Sequence, residues 1–184
     1  MSVYATRDTN SKVRFELRSL RTMASGMLRA LALPRAELSL VLTGDPEIHA
    51  LNREHRQKDR PTDVLAFSQN EDAKGRFVPF DASMPVLLGD VVISLDTASA
   101  QARAHGLSLT QEVALLLAHG LLHLLGSDHR NDHEERRMKA RTQLLASAGM
   151  AALRSRDRRR DLPSIGGGSP NRGQKTPENH GERR

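Results

Sequence analysis

Apolar residues recur along this chain in two rhythms, and the switches between them mark out its elements. Val3 to Arg7 reads as a short strand. From Ser11 to Leu33 the positions Val13, Leu17, Leu20, Met23, Met27 and Leu31 repeat at helical spacing until Pro34 stops them. Glu37 to Thr43 changes to period two around Leu38, Leu40 and Leu42, which predicts a strand. Asp45-Pro46-Glu47 then opens a helix to about His55, with Asp as the cap and Pro at the first helical position. Thr62 to Ser68 is a further strand, followed by a polar loop from Gln69 to about Pro85. Leu87 to Leu95, with Val91, Val92 and Ile93, is the clearest strand of all.

Helices fill most of the remainder. Ser94 or Asp96 caps a helix that ends at Gly106, and Ser108-Leu109-Thr110-Gln111 is a capping-box signature opening the next. Asp132-His133-Glu134-Glu135 opens the last helix, which Gly149 closes. Beyond Leu153 order is expected to fail, with Gly166 to Pro170 as a flexible spacer. The pattern predicts a small α+β domain over residues 1–153, with a short, mostly four-stranded sheet and four to five helices. The helix from Ser108 lies at its centre, and a basic tail occupies 154–184.

Composition narrows this picture. The chain has 184 residues, 38% of them hydrophobic and only 3% aromatic, with no Trp, so Leu, Val and Ala must fill the core. No stretch reaches the roughly 18 to 20 apolar residues that span a bilayer, and the first residues lack the apolar centre of a signal peptide. A cytoplasmic protein without a membrane partner is the expectation. The net charge of +6 is unevenly placed. Residues 154–184 hold nine Lys and Arg against four Asp and Glu, a net +5, which leaves 19 basic against 18 acidic side chains in 1–153. Such a tail can hold phosphates by counterion release or can simply be solvated.

Candidate chemistry lies in the central helix. His119-Gly120-Leu121-Leu122-His123-Leu124-Leu125-Gly126-Ser127-Asp128-His129 places imidazoles four and then six residues apart. Residues four apart share one helix face, and Gly126 can take the left-handed conformation that turns the chain back to offer His129. Three ligands with a fourth position left to water is the pattern of a catalytic zinc site. The absence of Cys leaves imidazole and carboxylate as the ligand types. The spacing is also that of a class of zinc proteases, but those carry Glu after the first His as general base, and here that position is Gly120. Asp128 suits either a hydrogen bond to a ligating histidine or the turn itself. His55, His105 and His133 read as surface residues.

A second cluster, Asn52 to Phe67, crowds Asn52, Arg56, Lys58 and Asp63 onto a helix-to-strand junction stiffened by Pro61. The Arg56 guanidinium fork matches phosphate oxygens, with Lys58 beside it. Asp63 could support Arg56 or close a turn with Thr62.

Together these segments resemble the YbeY family of bacterial endoribonucleases and rRNA maturation factors. That family carries N-x-x-Y-R-x-K-D-x-P-T-D-V-L-S-F, then L-G-D-I-x-I, then H-G-x-L-H-L-x-G-Y-D-H. They correspond in order to Asn52–Phe67, Leu88–Ile93 and His119–His129, within a likeness running from about Glu37 to Leu145. The departures are His55 for Tyr, Ala66 for Ser and Ser127 for the aromatic residue before Asp128. The resemblance implies a single-strand-specific, metal-dependent endoribonuclease acting in 16S rRNA 3′-end maturation and ribosome quality control. It further implies one zinc ion on His119, His123 and His129, with Arg56 at the scissile phosphate. Arg56 and His119 are the expected catalytic residues, and single-stranded RNA, rRNA and the small ribosomal subunit are the expected partners. A competing class is a non-catalytic, zinc-binding assembly factor that docks on the small subunit. The nucleophile, whether water or the RNA 2′-OH, and the oligomeric state stay open.

Overall fold

The computed structural model describes residues 1–7, 11–127 and 131–160. Its described elements run β1 (Ser2–Arg7), α1 (Leu17–Ala30), β2 (Ala36–Thr43), α2 (Asp45–Arg56), β3 (Val64–Ser68), β4 (Val86–Ser94), α3 (Leu95–His105), α4 (Leu109–Leu124) and α5 (Asp132–Arg160). The strands form one sheet in the order β1-β2-β4-β3, with β1, β2 and β4 parallel and β3 antiparallel to β4. The expected α+β domain, with four strands, five helices and a central α4, is what forms. Among the described residues no single helix is long and apolar enough to cross a membrane.

The sheet is covered unequally. Leu38, Leu40, Leu42, Leu88, Val91 and Ile93 join α1, α4 and α5 in the main core, while Ile48, Leu65 and Val92 form a small cluster under α2. The polarity of α2 explains the difference: only Ile48 and Asn52 of its twelve residues are buried. In β4 both Leu88 and Val91 face the main core, although strict alternation would place them on opposite faces. A bulge removes the conflict, because Glu37 pairs with Leu87 and Leu38 with Gly89, leaving Leu88 as the extra residue. Gly89 adopts φ +127°, and a Cβ there would lie 2.1 Å from the Phe67 carbonyl oxygen, so no other residue fits without moving backbone.

Several element ends differ from the sequence pattern. The segment before Leu17 is not helical, and Ser11 instead donates from its hydroxyl to Asp96 at 2.7 Å. Gly44, not Asp45, is the cap of α2, because the Asp45 carboxylate is taken by the hydroxyls of Ser94 and Thr97. Asn131 caps α5 by accepting from the Glu134 N–H. Most importantly, α5 runs through Gly149 and past Leu153 to Arg160. Gly149 is a packing site and not a stop: a Cβ there would meet Met27 Cε at 2.6 Å. The opposing Gly26 has Ala152 Cβ equally close, so paired glycines bring α1 and α5 together.

Candidate functional site

Helix α4 begins with the expected capping box between Ser108 and Gln111 and is then buried nearly all round. In its last two and a half turns the side chains open at Leu115, His119 and His123, spaced four apart, while Leu116–Ala118, Gly120–Leu122 and Leu124 are buried. The histidine end of that stripe, His119 and His123, forms the floor of a cleft of about 750 Å³. On it the Nε2 atoms of His119 and His123 face each other across 3.1 Å, their rings near-perpendicular at 83°. Two such nitrogens can share one proton or one cation but cannot both point an N–H at the gap. Nitrogens 2.0–2.1 Å from one tetrahedral zinc lie about 3.3 Å apart, so the pair has the separation that such an ion imposes. Among the described residues no group of three His, Asp or Glu converges. His129, the expected third ligand, and Asp128 lie outside the described residues.

Two features hold this pair in place. A side chain at Gly120 would come within 2.7 Å of Val91 Cγ1 and 3.3 Å of Val64 Cγ2, so α4 lies on the sheet closely enough to exclude any residue but glycine. A protease-type glutamate base has no room here. At the helix end Ser127 N–H donates to Leu122 O and Gly126 N–H to His123 O, both at 2.9 Å, with Gly126 at φ +74°. This is a Schellman closure, and it fixes the backbone of His123 as it redirects the chain.

Gly126 → Ala is therefore expected to destabilise the protein by about 1–3 kcal/mol, combining the left-handed penalty with a Cβ only 2.4 Å from the Phe77 ring. Denaturant unfolding of the single variant and of Gly126 → Ala/Phe77 → Ala checks it. The double variant should recover the steric part of the loss and keep the conformational part. An unchanged unfolding midpoint in Gly126 → Ala would contradict the cap.

The opposite wall comes from the junction of α2 and β3. Arg56, the last residue of α2, donates from Nη2 to the Ala66 carbonyl at 2.9 Å and lines the same cleft as the two histidines. Buried Asn52 donates from Nδ2 to Arg60 O at 2.7 Å and its backbone carbonyl accepts the Lys58 N–H, fixing the loop that carries Lys58 and Arg60 into the cleft. Asp63 does not serve Arg56. Its carboxylate accepts from the Thr62 hydroxyl, the Val64 N–H and Gln101 Nε2, so it closes the turn and ties it to α3. His55 stands edge-on to Phe67 at 5.1 Å, outside the cleft. His105 pairs with the buried Glu112 carboxylate at 3.1 Å, a structural contact.

The rim contributes residues that the sequence pattern read only as polar loop. Glu71 and Phe77 bridge across a turn in which Asp72 accepts the Lys74 and Arg76 N–H groups and pairs with the Arg76 side chain. The Arg76 side chain, followed by these N–H groups, holds the Asp72 carboxyl below its usual range. Arg76 and Phe77 thereby reach the cleft. The Asp72–Gly75 turn was the signal available for this hairpin, but a single isolated bridge leaves almost no periodicity to detect. With Arg56, Lys58, Arg60 and Arg76 against Asp63 and Glu71, the cleft is net positive around a pair of converging imidazoles.

The family model described as Endoribonuclease YbeY matches residues 5–148. The Endoribonuclease YbeY of Bacillus licheniformis is 46% identical over 103 residues, covering 56% of this chain and 65% of that protein. Its counterpart from Myxococcus xanthus is 48% identical over 136 residues, 73% of this chain and 44% of the relative. The chain thus spans less than two thirds of the length of either. Among solved structures, the solution structure of TM1509 from Thermotoga maritima aligns with a TM-score of 0.55 at 20% identity, over 88% of this chain and 98% of that one, which shows a shared fold. Matched over most of its length by the family model, the chain belongs to the Endoribonuclease YbeY family.

Proposed function

We propose that this protein is a zinc-dependent endoribonuclease that cuts single-stranded RNA, with the 3′ end of 16S rRNA on the small ribosomal subunit as its substrate. The observation that carries the reading is the 3.1 Å approach of His119 Nε2 and His123 Nε2 on the floor of a basic cleft that also holds Arg56. In this reading His119, His123 and His129 hold one zinc ion. Zinc on neutral imidazoles supplies a Lewis acid that polarises a phosphoryl oxygen and acidifies water.

The chain's own residues bind and orient the RNA. The Arg56 fork, steadied by the Ala66 carbonyl, grips the scissile phosphate and stabilises the charge that grows on it. Lys58 and Arg60, on the loop tied down by Asn52, neutralise neighbouring phosphates. The half-buried histidines lie beneath the rim, where a flexible strand can lower its backbone and a stiff duplex cannot.

The test is an RNA carrying the 16S 3′ extension, offered single-stranded and annealed to its complement. The zinc-loaded protein should cut the first internally and spare the second, and the product ends identify the nucleophile: a 2′,3′-cyclic phosphate from 2′-OH attack, a plain phosphate from water. Equal cutting of both forms, or zinc-loaded protein that cuts neither, would overturn the reading.

A further inference from the structure

The basic excess assigned above to an unstructured tail is in large part built into a helix. Between Arg154 and Arg160, within α5, there are five arginines and one aspartate, net +4 of the +5 carried by residues 154–184. Helix α1 packs along α5, with Gly26 against Ala148, Gly149 and Ala152, then Thr22 against Arg156. This brings the start of α1, with Arg14 just before it and Arg18 in its first turn, level with the end of α5.

The acids at this end are already engaged. Arg156, whose side chain is only 20% exposed, pairs with Asp157 at 2.8 Å and Glu16 at 3.4 Å, and Ser19 donates its hydroxyl to Glu16. The Ser19 bond first, then the charges of Arg156 and Arg160, hold the Glu16 carboxyl below its usual range. Arg14, Arg18, Arg158, Arg159 and Arg160 are exposed beside this ion-paired centre of one arginine and two carboxylates.

We infer that this end of the α1–α5 pair is a docking surface for the phosphate backbone of double-helical RNA, separate from the cleft. Arg141 reaches Ser127 at the cleft rim, and Arg160 lies nineteen residues further along α5, about 29 Å away at 1.5 Å per residue. Unpaired strands are held by stacking on aromatic rings as well as by charge, and the patch offers none: Phe15, its sequence neighbour, packs against the core. A lipid surface would be met by exposed apolar side chains among the arginines. The exposed large hydrophobics among the described residues are Met1, Tyr4, Val78, Met84, Leu87 and Leu144, none of them in either of these segments. Arginines at a helix end, with no exposed large apolar side chain among them, suit the evenly spaced phosphates of a duplex. The surface would hold a folded region of the RNA whose single strand enters the cleft, and to that extent the inference rests on the proposed function.

The experiment compares the full chain with Arg158 → Gln/Arg159 → Gln/Arg160 → Gln, which leaves Arg156 and its ion pairs in place. Binding to a blunt RNA duplex is measured across a salt series, together with cleavage of a short unstructured RNA. The variant should bind the duplex at least about tenfold more weakly near 0.1 M salt, with a salt slope shallower by about two to three, and should cut the short RNA at the unchanged rate. Equal affinity and slope for the two proteins would overturn the inference. So would a loss confined to anionic phosphatidylserine vesicles, with duplex binding retained. Duplex binding decides the docking surface even if no RNA is cut, whereas cleavage of the short RNA decides the ribonuclease reading separately.

Discussion

Replacing His123 with alanine is expected to remove nearly all RNA cleavage, and with it the proposed zinc, while leaving the fold standing. The imidazole is half-buried on the cleft side of α4, and its Nε2 is committed to the gap it shares with His119. The core does not depend on it, since α4 is held by ten buried residues from Glu112 to Leu124. Disturbing the groups around a metal's ligands already costs 10–100-fold in affinity or activity, so losing a ligand itself should cost more, on the order of a thousandfold in cleavage. Metal-free His123 → Ala should unfold within about 1–2 kcal/mol of the metal-free parent. The zinc-loaded parent should stand above both, because an ion bound only by the native state adds stability by mass action. Metal analysis, denaturant unfolding and cleavage on the same preparations check all three. A variant that fails to fold would point to a structural ion and favour an assembly factor over an enzyme. A variant that keeps its zinc and its activity would remove His123 from the site.

Arg56 → Glu is expected to lower cleavage by a factor of roughly a hundred to a thousand, the effect of removing a donor aimed at developing charge, with added repulsion from the phosphate. Zinc content should not change, because Arg56 is not among the converging nitrogen donors. Stability should fall by about 1 kcal/mol at most, the net worth of the exposed hydrogen bond to Ala66 O. Arg56 → Lys should recover only part of the activity, since an ammonium keeps the charge but loses the fork. Single-turnover cleavage with excess enzyme separates this loss from weaker RNA binding, and an unimpaired rate in Arg56 → Glu would end the assignment.

Much of the fold was legible because local chemistry and global packing agree. Ser108 and Gln111 form the box that their spacing announces, and Gly106 and Gly126 end their helices in the left-handed conformation. Two misreadings share one physical cause: a residue with two uses reads by its local one. Gly149 reads as a helix stop, yet it is mid-helix, where its missing side chain admits Met27. Asp45 reads as a cap, yet its carboxylate ties α2 to the start of α3. The β4 bulge at Gly89 was hidden because a continuous apolar run looks the same with or without an extra residue.

The site divides in the same way. The approach of His119 and His123 follows from helical spacing alone, and Gly120 explains itself once α4 is seen lying on Val91. Local chemistry offers Arg56 and Lys58 alike as phosphate contacts, and only the resemblance sets Arg56 apart, since nothing local gives it a distinct role. Its meeting with the histidines depends on how α2, β3 and α4 surround one cleft. Arg76 and Phe77 escaped notice because a short hairpin in a polar loop carries no hydrophobic rhythm.

The central claim, that the imidazole pair holds a metal on which RNA cleavage depends, is tested most directly by titrating zinc into chelator-stripped protein while following the cutting of a single-stranded RNA. Cleavage should be absent at the start, rise in proportion to added zinc and level off at about one ion per chain. Stripped protein that cuts at the full rate, or cleavage indifferent to zinc across the titration, would contradict it.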